Sequence, residues 1–105
     1  KDKKLSVTPR DIIFAPEARA DLLALYEWIS AKASPDVAMR YIERIERYCS
    51  GFDLASQRGH ARDDIRPGLR VIGFERRVTI AFTVSNQAVT ILRLFYGGQN
   101  WEDDL

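Results

Sequence analysis

The chain has 105 residues, with 16 lysines and arginines, 15 aspartates and glutamates, 46% hydrophobic residues and a formal net charge of +1. A chain of this length can form one hydrophobic core, and its mixed charges and ordinary hydrophobic fraction exclude a disordered, collagen-like or solvating acidic chain. The pI of about 8.1 is below the roughly 9 that is typical of a dedicated nucleic-acid-binding domain, so no specific nucleic-acid binding is expected.

The sequence offers no transmembrane segment and no metal site. The longest apolar runs, residues 12–15 and 22–26, are far shorter than the roughly 20 residues that span a bilayer. No apolar segment follows the basic first residues, so no retained secretory signal is expected. Cys49 is the single cysteine and His60 the single histidine, which excludes an internal disulfide and a metal-binding spacing. We therefore expect a cytoplasmic protein without cofactor or metal.

The first half of the chain predicts a strand followed by two helices. Residues 1–10 are polar and end near Pro9, so a flexible segment is expected before a single domain over residues 11–105. The apolar run at 11–14 predicts a strand, and Pro16 begins a helix over residues 16–32. The apolar stripe of this helix recurs at spacings of three and four: Ala18, Leu22, Leu25, Tyr26, Ile29 and Ala33.

Ser34 and Pro35 mark the N-terminus of a second helix, as an N-cap and a first helical residue. Because the link between the helices is so short, they are predicted to form an antiparallel hairpin. Cys49 lies on the inner stripe of the second helix and is interpreted as a small buried hydrophobe rather than a nucleophile. That stripe comprises Ala38, Ile42, Ile45, Cys49 and Phe52.

The second half predicts strands. A charged connection over residues 53–68 is followed by segments 69–74, 78–84 and 88–95, which are rich in valine, isoleucine, threonine and phenylalanine. Three residues separate each pair of segments, so an antiparallel meander is predicted. The fold class is therefore α+β, a two-layer sandwich of order β-α-α-β-β-β with the helical hairpin on one face of a small antiparallel sheet.

Spacing alone identifies no active site. His60 lies in the predicted loop between arginines, and neither Asp63-Asp64 nor Gly97-Gly98 completes a known catalytic or phosphate-binding pattern. Between Arg58 and Arg77 there are six arginines against three acidic residues, a local excess of three. These arginines suit either a solvated face with ion pairs or forked contacts with carboxylates and phosphates.

The order of elements resembles a known toxin family. Residues 14–18 open the first helix as Phe-Ala-Pro-Glu-Ala, Gly68-Leu69-Arg70 opens the meander, and residues 91–94 read Ile-Leu-Arg-Leu in the last strand. Together with the length of the domain, this order of motifs resembles the ParE branch of the RelE/ParE toxins of bacterial toxin–antitoxin modules. The resemblance covers about residues 12–101. The resemblance implies a cytoplasmic toxin that binds DNA gyrase and forms a hetero-oligomer with a ParD-like antitoxin.

The RelE branch of the same superfamily implies a ribosome-dependent messenger-RNA endonuclease. Its pattern asks for a lysine pair on the first meander strand, an arginine early in the next strand and an arginine after the last strand, where this chain has Tyr96-Gly97-Gly98. Here Arg70 is followed by Ile72, and Thr79 occupies the arginine position of the second strand. The departure favours a toxin that acts by binding, with no catalytic residue. The ribonuclease, using Arg70, Arg93 and Tyr96, is the alternative, and a non-toxic partner of the antitoxin is a third interpretation.

Two binding surfaces are predicted. Leu23, Trp28 and Tyr41 fall outside the inner helical stripes, so an amphipathic antitoxin helix is expected to cover them together with Tyr48. The target surface is placed at the end of the meander, where Gly97-Gly98 and an acidic terminus replace the strand pattern. An alternative is that Trp101 fastens the terminus onto the core. The predicted target-binding residues are Arg70, Arg93, Tyr96 and Trp101.

Overall fold

A computed structural model describes residues 11–53, 58–97, 102 and 105 of the chain. Two helices cover one face of a five-stranded sheet whose strand order is β1-β5-β4-β3-β2. The predicted α+β sandwich is confirmed. The strands are β1 (Asp11–Phe14), β2 (His60–Ala61), β3 (Arg70–Phe74), β4 (Val78–Val84) and β5 (Ala88–Tyr96).

The first helix has the predicted bounds, and the second begins as predicted but ends before Phe52, the last residue of its predicted stripe. Helix α1 spans Pro16–Lys32 and helix α2 spans Pro35–Ser50, followed by one 3₁₀ turn at Gly51–Asp53. The Ser34 hydroxyl accepts a hydrogen bond of 3.1 Å from the Val37 amide, so Ser34 is the N-cap of α2. No helix in the described part of the chain is both long and apolar enough to cross a membrane.

The sheet differs from the prediction in two places. It is mixed rather than wholly antiparallel, because β1 pairs in parallel with β5 from Asp11 opposite Ala88 to Phe14 opposite Ile91. The predicted connection at 53–68 contains the short strand β2, in which His60 pairs with Val71. His60 is thus in an edge strand rather than a loop, although its side chain is exposed as expected. Two residues are too few for a strand periodicity to be visible in sequence.

The core lies between the helices and the sheet. All five predicted inner-stripe residues are buried. Four of them, Ile42, Ile45, Cys49 and Phe52, pack with Leu25 of α1 and with Phe82, Val89 and Ile91 of the sheet. A smaller cluster of Leu69, Val71, Ala81 and Phe95 lies apart from it, and Ile65, Leu92 and Leu105 pack against it.

Candidate protein-binding face

An aromatic pair, the exposed Trp28 and the half-buried Tyr96, joins the helical hairpin to the last strand. Trp28 of α1 is 48% exposed, and its ring centroid lies 5.0 Å from that of Tyr96 at the end of β5. The sequence assigns Trp28 to the antitoxin surface and Tyr96 to the target surface. The structure brings these two residues into contact, so the two predicted surfaces meet at one place.

Arg93 is held by α1. Its guanidinium donates two hydrogen bonds to the Asp21 carboxylate, at 2.7 and 3.1 Å, and the Leu94 amide donates to the same carboxylate at 2.9 Å. The pairing of β1 with β5 ends at Ile91, so the Leu94 amide lies beyond that neighbouring strand. Asp21 therefore accepts a strand-edge amide and fastens α1 to β5. Arg93 also lies over the Phe95 ring at 4.8 Å.

Two cavities share Trp28 and Tyr96 as part of their walls. The first, which we call the Asp21 cavity, has a volume of about 300 Å³. It is lined mainly by apolar groups of α1, β4 and β5: Asp21, Ala24, Leu25, Trp28, Val78, Leu94, Phe95 and Tyr96. The second, the Tyr41 cavity, has a volume of about 330 Å³ and is richer in charge. Its walls are formed by Trp28, Ile29, Lys32, Val37, Tyr41, Arg44, Glu75, Arg77 and Tyr96.

Tyr41 is buried, with 8% of its surface exposed, so the prediction that it lies on an exposed surface is wrong. The buried face of α2 is wider than its inner stripe, because Tyr41 packs edge-on against Phe74 of β3 with centroids 5.9 Å apart. Among the described residues its hydroxyl has no hydrogen-bond partner. Burial is the main cause that raises the pKa of Tyr41, and Glu75 and Tyr96 add to it while Arg44 and Arg77 oppose it.

The β3–β4 turn forms one rim of the Tyr41 cavity. Glu75 and Arg76 have φ angles of 50° and 61°. This left-handed backbone conformation costs free energy for residues other than glycine. Arg44 of α2 donates two hydrogen bonds to Glu75, at 2.9 and 3.0 Å, and holds the pKa of that carboxyl below its usual range. Arg77 donates to the Tyr96 hydroxyl at 3.4 Å. The turn is thereby connected to both α2 and β5.

The other two predicted antitoxin residues lie elsewhere. Leu23 is 59% exposed, but it is five residues from Trp28, or about 140° around a helix, so the two side chains point in different directions. Tyr48 is half-buried between Phe52 and Phe74, at centroid distances of 5.5 and 5.1 Å, and Arg58 lies over its ring. The antitoxin role of each stays a prediction.

Of the other two predicted target-binding residues, Arg70 makes contacts within the domain and Trp101 lies outside the described residues. Arg70 donates to the backbone carbonyls of Arg58 and Gly59, at 2.9 and 3.2 Å. Near the terminus, Glu102 forms an ion pair of 2.8 Å with Arg62, and Leu105 packs against the smaller apolar cluster. These two contacts attach the terminal residues to the domain.

Cys49 is a structural residue. It is fully buried, and burial raises the pKa of its thiol to about 12. A thiol with this pKa is protonated at neutral pH and is a poor nucleophile, as the sequence indicates. Within the described ranges, no group of three or more histidine, cysteine, aspartate or glutamate side chains is arranged to hold a metal.

The chain matches a family profile described as "ParE toxin of type II toxin-antitoxin system, parDE" over residues 12–101. It belongs to the ParE toxin family. Its fold is similar to a chromosomal ParDE toxin–antitoxin structure from P. aeruginosa, with a TM-score of 0.73 and 24% identity over 84% of this chain and 96% of that one. It also resembles the RelBE2 toxin–antitoxin complex of Mycobacterium tuberculosis, with a TM-score of 0.59 and 16% identity over 90% and 98% of the chains. No curated protein sequence matches the chain.

Three residues that shape this face could not be predicted from the sequence. Asp21, Arg44 and Glu75 make bidentate contacts with partners 72 or 31 positions away in the chain. Charged residues on an amphipathic helix or in a turn normally face water, so their pairing has no local sequence signal. The sequence predicts the hairpin turn at 75–77 but not its contact with α2.

Proposed function

We propose that this ParE-family toxin inhibits DNA gyrase by binding it in the cytoplasm, and that a ParD-like antitoxin neutralises it in a hetero-oligomer. The observation that carries the proposal is the match to the ParE profile over residues 12–101. Within that span the basic set of the RelE ribonucleases is incomplete, because Ile72 and Thr79 occupy two of its positions.

The contacts of Arg70 and Arg93, the two arginines of the ribonuclease alternative, also favour a toxin that acts by binding. The guanidinium of Arg93 is bonded to the Asp21 carboxylate, and that of Arg70 to two backbone carbonyls. Stabilising a phosphate in a cleavage reaction needs positive groups directed at the site where negative charge develops. In the unbound toxin both guanidinium groups are thus engaged within the domain, which favours a structural or binding role for them over phosphate stabilisation.

The aromatic pair supports a single face for both partners. Tryptophan and tyrosine side chains contribute strongly to protein interfaces, and Trp28 and Tyr96 line two adjoining cavities. An antitoxin helix over Trp28 would therefore cover Tyr96 as well. Neutralisation follows directly, because the target-binding residue is no longer accessible. We expect Trp28→Ala to weaken the antitoxin complex by about 2 kcal/mol, and an unchanged dissociation constant would remove Trp28 from the interface.

The function is tested with purified gyrase. Addition of the toxin should stop the supercoiling of relaxed plasmid or accumulate cleaved DNA–gyrase complexes, and prior addition of antitoxin should prevent either effect. Unchanged supercoiling without cleaved complexes would contradict the proposal. Cleavage of messenger RNA on translating ribosomes, lost in Arg93→Ala, would support the ribonuclease instead. Growth that is unaffected by induction of the chain would favour the non-toxic partner.

A further inference from the structure

The Tyr41 cavity combines positive charge with a buried hydroxyl that lacks a partner. Lys32, Arg44 and Arg77 contribute three positive charges to its walls and Glu75 one negative charge, an excess of two. The Tyr41 hydroxyl has no hydrogen-bond partner among the described residues. A buried polar group left unpaired is costly, so a hydroxyl in a cavity wall is free to bond a group that enters the cavity.

The Tyr41 hydroxyl lies among the charged groups of the cavity wall. The charges that act on its pKa belong to Glu75, Tyr96, Arg44 and Arg77, all of which line the Tyr41 cavity. The hydroxyl itself is closed to solvent, so a ligand reaches it only when a side chain moves. Arg77 is exposed on the β3–β4 turn and can do so without disturbing the core.

The chemistry of the walls identifies the ligand class. A hydroxyl donor beside ammonium and guanidinium groups suits an anion, and forked guanidinium donors match a carboxylate. Trp28, Ile29 and Val37 supply apolar walls to the same cavity, which favours an acidic side chain within an apolar peptide segment. A net charge of +1 for the whole chain is too small for a nucleic-acid backbone to be the preferred partner.

We propose that the Tyr41 cavity binds an aspartate or glutamate side chain of the antitoxin, with the Tyr41 hydroxyl donating to its carboxylate and Lys32 and Arg77 pairing with its charge. This inference rests on the proposed function, since it takes the antitoxin as the occupant. It adds a polar anchor beside the aromatic pair. The anchor would make antitoxin affinity dependent on one acidic residue and on ionic strength.

Two toxin variants test the site. Tyr41→Phe removes only the hydroxyl, and because that group has no partner among the described residues, the free energy of unfolding should stay the same or rise. Its dissociation constant for the co-encoded antitoxin should nevertheless increase about tenfold. The double variant Lys32→Gln/Arg77→Gln should weaken the complex at least as much and flatten its salt dependence. The matched control, Arg40→Gln/Arg76→Gln, removes two exposed charges outside the cavity and should change the dissociation constant less than about twofold.

The outcomes separate the site from the function. If Tyr41→Phe bound the antitoxin with the same dissociation constant as the wild type, the carboxylate site would be overturned and the proposed function would stand. Equal weakening of the cavity pair and the control pair would also overturn it, since the effect would then be general charge attraction. If the wild-type toxin did not bind the antitoxin at all, both proposals would fall. A tenfold loss confined to the cavity variants supports the site.

Discussion

At the scale of single residues, Asp21 has a large role for a charged residue near a surface. It accepts three hydrogen bonds, two from Arg93 and one from the Leu94 amide, and its side chain is only 18% exposed. We expect Asp21→Ala to reduce the free energy of unfolding by about 3 kcal/mol, because it removes the acceptor of three hydrogen bonds from a partly buried place. Glu27→Ala, on the exposed face of the same helix, should change it by less than about 0.5 kcal/mol. Urea unfolding of both variants measures this, and equal losses would show that the Asp21 contacts contribute nothing specific.

The buried thiol of Cys49 gives a second prediction at this scale. Its pKa of about 12 in the folded chain is above the ordinary value of 9.0, so its contribution to stability is complete below about pH 9 and is lost as the pH rises toward 12. Between about pH 8 and pH 10 the wild type should lose about 1 kcal/mol more stability than Cys49→Ala. Urea titrations at the two pH values give this difference. Parallel pH dependence of the two proteins would contradict it, as would rapid iodoacetamide labelling of the folded chain at pH 8.

At the scale of elements, the pairing of β2 with β3 depends on one glycine. Gly59 has a φ of 75°, and a Cβ placed there would lie 2.2 Å from the Val71 carbonyl oxygen. Gly59→Ala should therefore cost about 2 kcal/mol or more and increase hydrogen exchange of the β2 and β3 amides. Gly68→Ala is the matched control, because its φ of 79° is similar but no atom lies within 4 Å of the added Cβ. It should cost only about 1 kcal/mol, and a similar loss in the two variants would exclude the steric contact as the cause.

The same scale shows why some elements are predictable. The helices and the three long strands follow from local features: the apolar period, Ser34 as a cap, and short turns between strands. The parallel pairing of β1 with β5 joins segments that are far apart in the chain, so no local pattern encodes it. The burial of Tyr41 depends likewise on Phe74, which a helical stripe alone cannot include.

At the scale of the whole molecule, tertiary packing turns two separate predictions into one surface. Trp28 and Tyr96 were both predictable as functional candidates, since each is a large aromatic residue outside a core pattern. Their contact at 5.0 Å, and the two cavities beside it, form where α1 packs on β5, and the contact of Asp21 with Arg93 helps to fasten these two elements. Interfaces of this kind concentrate their binding energy in a few aromatic anchors.

The claim that this face inhibits gyrase is tested by measuring the half-inhibitory concentration of toxin variants in a supercoiling assay. Wild type and Met39→Ala, which removes an exposed apolar side chain outside both cavities, should inhibit equally. Tyr96→Ala should require about tenfold more protein, with circular dichroism verifying that the variant is folded. Full inhibition by folded Tyr96→Ala, or no inhibition by the wild type, would contradict the claim.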